Sequence, residues 1–378
     1  MRTDSDLPPD LRELLPVNAE IVVQAPGRAN LIGEHTDYNE GFVLPAALEL
    51  RTVVAGRRSD RIRLRSIGRG RPITVDPATG RGPIKGWGRY VTAVVRALRE
   101  DGRAVRGIDG VIASNLPSGT GLSSSAALEV AVALAVVDEP MSSVELARVC
   151  QRAENVHVGV RSGIMDQLAS LSARGGAALF IDCRSLETSD VAIPDDLRLL
   201  VVDSGHRRQL GRGDYNRRRE ECDEAARLLG VAALRDASAE LVATANLPPL
   251  FAARARHVVT ENARVLGAVE ALGSDDRARI GELFAASHAS LATDFEVSTP
   301  ALDALVEIAS HTDGVIAARM TGAGFGGCTV NLVEVGRAEA AMAAIASAYL
   351  ERTGREARAW LSAPAAGALQ AAEPTMRA

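Results

Sequence analysis

Lysine is almost missing from this chain of 378 residues: of its 43 basic residues only Lys85 is a lysine, and the other 42 are arginine. Arginine stays protonated and cannot serve as a tunable amine, whereas lysine shifts its pKa readily when buried. A P-loop sets Lys beside Ser or Thr after its glycines, and a protein kinase carries a lysine in a V-A-I-K strand. Lys85 sits in Pro83-Ile84-Lys85-Gly86-Trp87 and fits neither pattern. Schiff-base chemistry would rest on that one residue. Other shortages narrow the field. Aromatic residues make up 3% of the chain, and the four cysteines (Cys150, Cys183, Cys222, Cys328) are widely spaced with no C-x-x-C. That argues against a disulfide framework or a zinc ribbon. The apolar run Ala126 to Val137 is about a dozen residues, the length of a buried helix and too short for a membrane span. A formal charge of -5 gives no basic footprint for nucleic acid. Met1 to Asp10 is polar and acidic, without the apolar core of a secretory signal. The expectation is a cytoplasmic globular protein with no nucleic-acid or membrane partner.

The length suits one large or two ordinary domains. Ile21 to Ala25 reads as a strand broken by Pro26-Gly27, and Leu48 to Ala55 and Ile62 to Ser66 read as further strands. The Gly/Pro cluster Gly68 to Gly88 reads as a long loop, and Tyr90 to Arg99 has helical spacing. A short strand, Val111 to Ala113, leads into a Gly/Ser loop and then helices from Ser125 to Val137, Ser143 to about Val156 and Ile164 to Ser172. After strands Ala177–Ile181 and Leu197–Val202 the chain turns helical (Tyr215–Leu229, Arg254–Leu272, Ala278–Ser290, Ala301–Ala309). It closes as strand Val315–Arg319, a glycine loop, strand Thr329–Glu334 and helix Ala338–Arg352. This order predicts an α+β sandwich. The expected division is 1–190 and 191–365, with a frayed small-residue tail from Ala363 and a flexible end at 366–378.

Two glycine loops compete as phosphate sites. Gly322-Ala323-Gly324-Phe325-Gly326-Gly327 fits G-x-G-x-x-G, but the dinucleotide fingerprint needs a helix next. The next residues, Cys328 to Val333, are β-branched and alternating, so this loop joins two strands. The other, Leu116-Pro117-Ser118-Gly119-Thr120-Gly121-Leu122-Ser123-Ser124-Ser125-Ala126-Ala127, runs from a strand into a helix. Serine is a favoured N-cap, and exposed N–H groups with the helix dipole form an anion site. Glycines let the backbone approach phosphate, and three hydroxyls are available for phosphate or magnesium. A plain capped helix after a turn is the bland alternative.

Upstream, Glu34-His35-Thr36-Asp37 places donors and acceptors in a row, suited to a polyhydroxylated ligand, with apolar flanks at Leu31-Ile32 and Phe42 to Leu44. Glu34-His35 does not make H-E-x-x-H, so zinc proteolysis is unsupported. Asp166 opens an apolar helix after Gly163-Ile164-Met165. It can be an N-terminal cap or, near an arginine, a base toward a hydroxyl. His157, His206, His257 and His311 read as ordinary surface or core histidines.

Taken together, these segments resemble the galactokinase family, within the superfamily of galacto-, homoserine, mevalonate and phosphomevalonate kinases. The first signature is Gly27-Arg28-Ala29-Asn30-Leu31-Ile32-Gly33-Glu34-His35-Thr36-Asp37-Tyr38-Asn39, the second the serine loop 117–127, and the third Met320-Thr321-Gly322-Ala323-Gly324-Phe325-Gly326-Gly327-Cys328. Gln151 to Asn155, the run up to Asp166, and Ser287 to Ser298 also fit, so the likeness spans about Ala25 to Glu334. The resemblance implies an N-terminal α/β domain and a ferredoxin-like C-terminal domain with the site between them, ATP and Mg2+ as cofactors, and a small sugar as partner. It implies Asp166 as catalytic aspartate and Arg28 as the arginine that stabilises transition-state charge. Glu34, His35, Thr36, Asp37, Gly163 and Tyr215 fall at the sugar, Ser125 and Glu154 at the metal, and Gly119, Thr120, Gly121, Leu122, Ser123, Ser124 and Ser125 on the triphosphate. Phosphorylation of the anomeric hydroxyl of α-D-galactose is the expected reaction. The alternatives are a kinase for N-acetylgalactosamine or arabinose, and a silent galactose- and ATP-binding regulator. Ser162 stands where a cysteine is common, Val156-His157 replaces an acidic-aromatic pair, and Leu11 to Asn18 lacks the usual aromatics. These bear on substrate preference rather than on the reaction. Oligomeric state is left open, a monomer being compatible.

If no lysine serves the phosphates, Lys85→Arg leaves phosphoryl transfer unchanged in a coupled ADP-release assay; a collapse of turnover in that variant would refute the exclusion.

Overall fold

A computed structural model describes residues 8–68, 70–206 and 212–368. In chain order its first strands are β1 (Ile21–Asn30), β2 (Phe42–Val43), β3 (Pro45–Ser59), β4 (Ile62–Ser66), β5 (Ile73–Val75) and β6 (Gly107–Ser114). After these come β7 (Ala177–Asp182), β8 (Thr188–Ala192), β9 (Leu197–Asp203), β10 (Val315–Thr321), β11 (Cys328–Glu334) and β12 (Arg358–Ser362). The aliphatic and β-branched runs that form them suit a pleated, buried surface.

One sheet has the order β1-β3-β6-β4-β5, and β2-β7-β8 forms a smaller second one. The third, β10-β11-β9-β12, is antiparallel throughout. Its first strand in the chain, β9, lies between the third and the last, which is the split βαβ order of a ferredoxin-like layer. The α+β architecture with a ferredoxin-like C-terminal half is therefore present.

Helix Ser124–Val136 lies against β1 and β3 and forms the centre of the first half. Ala126, Ala127, Val130, Ala131, Val132, Ala133, Ala135 and Val136 are all fully buried. Beyond its first turn the helix is apolar except for Glu129, as befits an element enclosed by the core. Burying one such valine contributes about 2 kcal/mol relative to leaving it exposed.

Several expectations need correction. Pro26-Gly27 does not end β1: the strand continues to Asn30, and its register against β3 shifts between Pro26 and Arg28. Pro26 still pairs with Arg51 at the last position before the shift, and Gly27 is the residue left without a partner. A side chain at Gly27 would meet the Leu122 carbonyl at 2.6 Å. The helix from Ser143 is α only to Arg152; Ala153–Val158 is a π-turn, closed by Gly159 at φ 86°. The loop 68–88 contains the short strand β5, and β8, β12 and helix Ala239–Thr244 were not foreseen.

The stretch from Ala363, expected to fray, is instead docked as far as it is described. Ala365 N–H donates to Ala47 O (2.9 Å), Gly367 N–H to Ala173 O (2.7 Å) and Ala368 N–H to Ser170 O (2.8 Å). Small residues are what such close backbone approach requires: a Cβ on Gly367 would lie 2.4 Å from Leu171 O. Residues 369–378 of that tail lie outside the described residues, as do residues 1–7 of the polar start.

Candidate active site

A cavity of about 370 Å³ lies between the two halves, with Arg28, Asp37, Glu154 and Asp166 on one side and Tyr215, Gly322, Ala323 and Phe325 on the other. At its centre Arg28 grips Asp166. The Arg28 Nε donates to Asp166 Oδ1 at 2.8 Å, and Nη2 lies 2.6 Å from the same oxygen. Nη1 donates to Gly121 O at 2.6 Å. The bulge at Pro26-Gly27 precedes Arg28 directly, and re-aiming a side chain is what such an irregularity does.

The second Asp166 oxygen, Oδ2, accepts the Ser123 hydroxyl at 2.6 Å. Ser123 precedes the helix Ser124–Val136 in the left-handed region, φ 56°, and makes no side-chain cap. The expected serine cap is therefore absent; the hydroxyl reaches across to the carboxylate instead. Asp166 is no cap either, since its own helix starts after Ile164 without a side-chain cap. Of the two readings left open for it, the contact with an arginine is the one observed.

Gly119, Gly121, Ser123, Ser124 and Ser125 of the serine loop line the cavity. Thr120 and Leu122 do not: Thr120 is buried with its hydroxyl on Pro117 O at 3.1 Å, and the Leu122 carbonyl accepts from Arg28 N–H at 3.3 Å. Both shape the loop from behind.

Glu154 sits on the π-turn, a wide turn often found at functional positions. Its carboxylate accepts the Ser162 hydroxyl at 2.6 Å and is hydrogen-bonded by Ser125. Burial holds its pKa above the usual carboxylate range; the Ser162 bond opposes this and the nearby Asp166 charge adds to it. Behind it stands Glu129, fully buried in the apolar helix and absent from the sequence-based candidates. Burial, reinforced by the Glu154 charge, pushes its carboxyl well above the usual range. Gln167 Nε2 lies 3.3 Å from both Glu129 Oε2 and Glu154 Oε2. A lone charge inside an apolar run is a signal that could have found it, because Glu is almost never fully buried without a reason.

At the other end stand Glu34, His35, Asp37 and Tyr215. Glu34 is 2% exposed, and its Oε1 accepts the N–H of Gly322 at 3.0 Å. His35 takes φ 63°, shares a 2.9 Å hydrogen bond with Tyr38 OH, and lies 4.6 Å from the Phe295 ring and 5.6 Å from that of Tyr215. Asp37 is pushed up to about 6, first by burial and then by the charge of Asp166, while Arg219 and Arg28 pull it down. Gly163 does not line the cavity; it makes room, since a Cβ there would fall 2.0 Å from Asp37 Oδ2. Thr36 is fully buried and spends its hydroxyl on Gly33 O (2.8 Å) and Phe42 O (2.6 Å), so it braces the loop.

Gly322, Ala323 and Phe325 entered no site expectation, because their loop reads as a hairpin. It is one, joining β10 to β11, yet it folds over the cavity. Gly322, Gly324, Phe325, Gly326 and Gly327 all have positive φ, and a Cβ on Gly327 would meet Thr120 O at 2.5 Å. Tyr90, Val160, Ser162 and Met165 complete the lining. Among the histidines, His257 is a core residue, with its ring nitrogens 2.9 Å from Ser290 Oγ and 3.1 Å from Glu34 O. Burial pulls its pKa down to about 4.

Known proteins share this architecture. The GHMP kinases N terminal domain matches residues 89–174 and the GHMP kinases C terminal domain residues 268–351. The mevalonate kinase of Methanococcus jannaschii shares the fold, with a TM-score of 0.65 at 18% identity over 92% of this chain and 99% of that one. Fold and domains thus define a GHMP-type small-molecule kinase. Residues 13–58 match the galactokinase galactose-binding signature. A galactokinase from Roseiflexus sp. (strain RS-1) is 45% identical over 360 residues, 90% of each chain. Lactococcus lactis galactokinase, solved with galactose, superposes with a TM-score of 0.85 at 32% identity, covering 92% of this chain and 95% of that one. The chain belongs to the galactokinase family.

The Asp37 carboxyl, titrating at about 6 in the cavity, has a measurable consequence if it meets the substrate's hydroxyls. Protonation removes an acceptor, so kcat/KM for the sugar is expected to fall as pH drops through about 6, because that ratio reports the free enzyme. Asp37→Asn should abolish this acid limb; an unaltered limb in that variant would assign it to another group.

Proposed function

We infer that the protein is an ATP-dependent galactokinase, transferring the γ-phosphoryl group to the anomeric hydroxyl of α-D-galactose to give galactose 1-phosphate and ADP. The observation that carries this reading is the Arg28–Asp166–Ser123 contact beside an uncapped helix N-terminus, in a chain bearing the galactose-binding signature. Phosphoryl transfer asks little covalent chemistry of a protein; positioning and charge stabilisation do most of it.

Asp166 receives or orients the anomeric hydroxyl. Each of its oxygens already holds a donor, and a carboxylate has acceptor sites left for another. Arg28 fixes that carboxylate and sets positive charge beside the transferring group. The serine loop and the first turn of helix Ser124–Val136 take the phosphates, through N–H groups that no side chain caps. Glu34, His35, Asp37 and Tyr215 bind the sugar, with Thr36 and Gly163 holding the loop and clearing space.

Magnesium fits the residues present. Among the described residues no group of three or more acidic, histidine or cysteine side chains is arranged to hold a metal alone. Mg2+ commonly uses one or two protein oxygens and completes its shell with water and phosphate. Glu154 and Ser125 supply such a pair, hydrogen-bonded to each other and both lining the cavity. When bound, the metal neutralises charge on the β- and γ-phosphates. We keep the division at 1–190 and 191–365 and a cytoplasmic location as parts of this proposal. The four cysteines, none joined in a disulfide, suit a reducing compartment.

A coupled ADP assay with galactose, N-acetylgalactosamine, arabinose and glucose at equal concentration tests the reading, with galactose expected to lead; a flat response to galactose would sink it. Asp166→Asn is expected to lose at least about 10²-fold in kcat while galactose binding, followed by calorimetry, survives. Near-normal turnover would remove Asp166 from the catalytic role.

A further inference from the structure

Arg319 projects from β10 toward the sugar end without lining the cavity, and its side chain is fully buried. Its Nη1 lies 2.5 Å from Glu34 Oε2 and donates to Leu31 O at 2.8 Å, with Asn30 O at 3.4 Å. Its Nη2 lies 3.7 Å from Glu261 Oε1. Glu261 is itself fully buried, accepting Gly33 N–H at 2.9 Å and the Ser287 hydroxyl at 2.6 Å and pairing with Arg264. The other Glu34 oxygen accepts from Gly322 N–H and, at 3.3 Å, from the Thr321 hydroxyl. Residues 30–34 are therefore gripped by β10 and the residues next to it.

Stability is a poor explanation for this arginine. Buried ion pairs often gain nothing over apolar packing, and here the Arg319 Nε and Nη2 find no hydrogen-bond partner among the described residues. A guanidinium left partly unsatisfied costs free energy. What it does supply is direction: one nitrogen of a planar, fully buried guanidinium, Nη1, meets both the Glu34 carboxylate and the Leu31 carbonyl. The geometry points to a positioning role: we propose that Arg319 acts through Glu34 to set sugar affinity from the C-terminal half, without touching the sugar. This rests on the galactokinase reading and on Glu34 as a sugar contact.

The test uses the full chain, with Arg319→Gln and Arg319→Lys compared with wild type for kcat and for KM of galactose and of ATP. Losing the buried ion pair with Glu34 should raise the galactose KM by about tenfold or more in Arg319→Gln. The ATP KM should stay within about twofold, since the phosphate site is untouched. Arg319→Lys, which keeps the charge but not the fork, is expected to fall between the two. A merely structural arginine would lower kcat with the folded fraction and leave both KM values alone, and that result overturns the proposal. So does an equal rise in both. If Arg319→Gln does not fold, Arg319→Lys alone decides by the same split. Should wild type prefer another sugar of the panel, that sugar replaces galactose. The functional reading then fails while the Arg319 proposal is still judged.

Discussion

The contact between Arg28 and Asp166, closed on the far oxygen by Ser123, is the constraint around which the rest of the site is arranged. Burial pushes the pKa values of Asp37, Glu154 and Glu129 up, and the nearby charge of Asp166 adds to each. Acids crowded in this way are unfavourable unless a cation is shared or brought in. Arg28 answers for Asp166. The others stay poised to gain from positive charge, and in the proposed reaction a magnesium ion held at Glu154 would supply it.

Regular structure fails at several of the points where a side chain enters this site, although Asp166, Tyr90 and Tyr215 stand on ordinary helices. The bulge at Pro26-Gly27 precedes Arg28, the left-handed Ser123 reaches Asp166, and the π-turn carries Glu154. His35 and Phe325 also take positive φ, which costs a residue with a side chain roughly 1–3 kcal/mol. Such costs persist only where surrounding structure over-determines the conformation, and here the cores on both sides are densely aliphatic. Helix Ser124–Val136 makes the point. Most of its length is buried in the aliphatic core, so its first turn can hold a strained serine in place at the cavity wall.

Sequence reasoning recovered the α+β class, most helices and the strand–loop–strand close, since these rest on periodicity that burial preserves. It also brought together Arg28, Asp37, Glu154, Asp166 and the serine loop, which the fold does assemble. Its misses share a cause. Pro26-Gly27 looked like a strand end because local chemistry cannot distinguish a break from a bulge. Gly322 to Gly327 was judged by the strand on its C-terminal side, which identifies a hairpin but says nothing of the surface that the hairpin covers. Glu129 was overlooked inside an apolar run. The docked segment Ala365 to Ala368 has no side-chain signal at all, as its bonds come from the backbone. The scarce aromatics were a usable clue: Tyr90, Tyr215 and Phe325 line the cavity and Tyr38 bonds His35, from a chain that is only 3% aromatic.

The shortage of lysine bears on how the phosphate charge is met. In a lysine-based site an ammonium on a flexible stem follows the phosphates as a point charge. The cation here is a guanidinium already committed, through Nε and Nη2 to Asp166 and through Nη1 to Gly121 O. A group so tied cannot leave to follow a phosphate without releasing the carboxylate it holds. In the proposed reaction Arg28 therefore contributes to the transferring group only from a fixed position, by proximity to Asp166. The triphosphate must find the rest of its compensation in the serine-loop N–H groups and the metal. That division of labour explains why Ser123 sits where it does. It is the residue at which the phosphate loop and the acceptor-side carboxylate meet, so the placement of one sets the placement of the other.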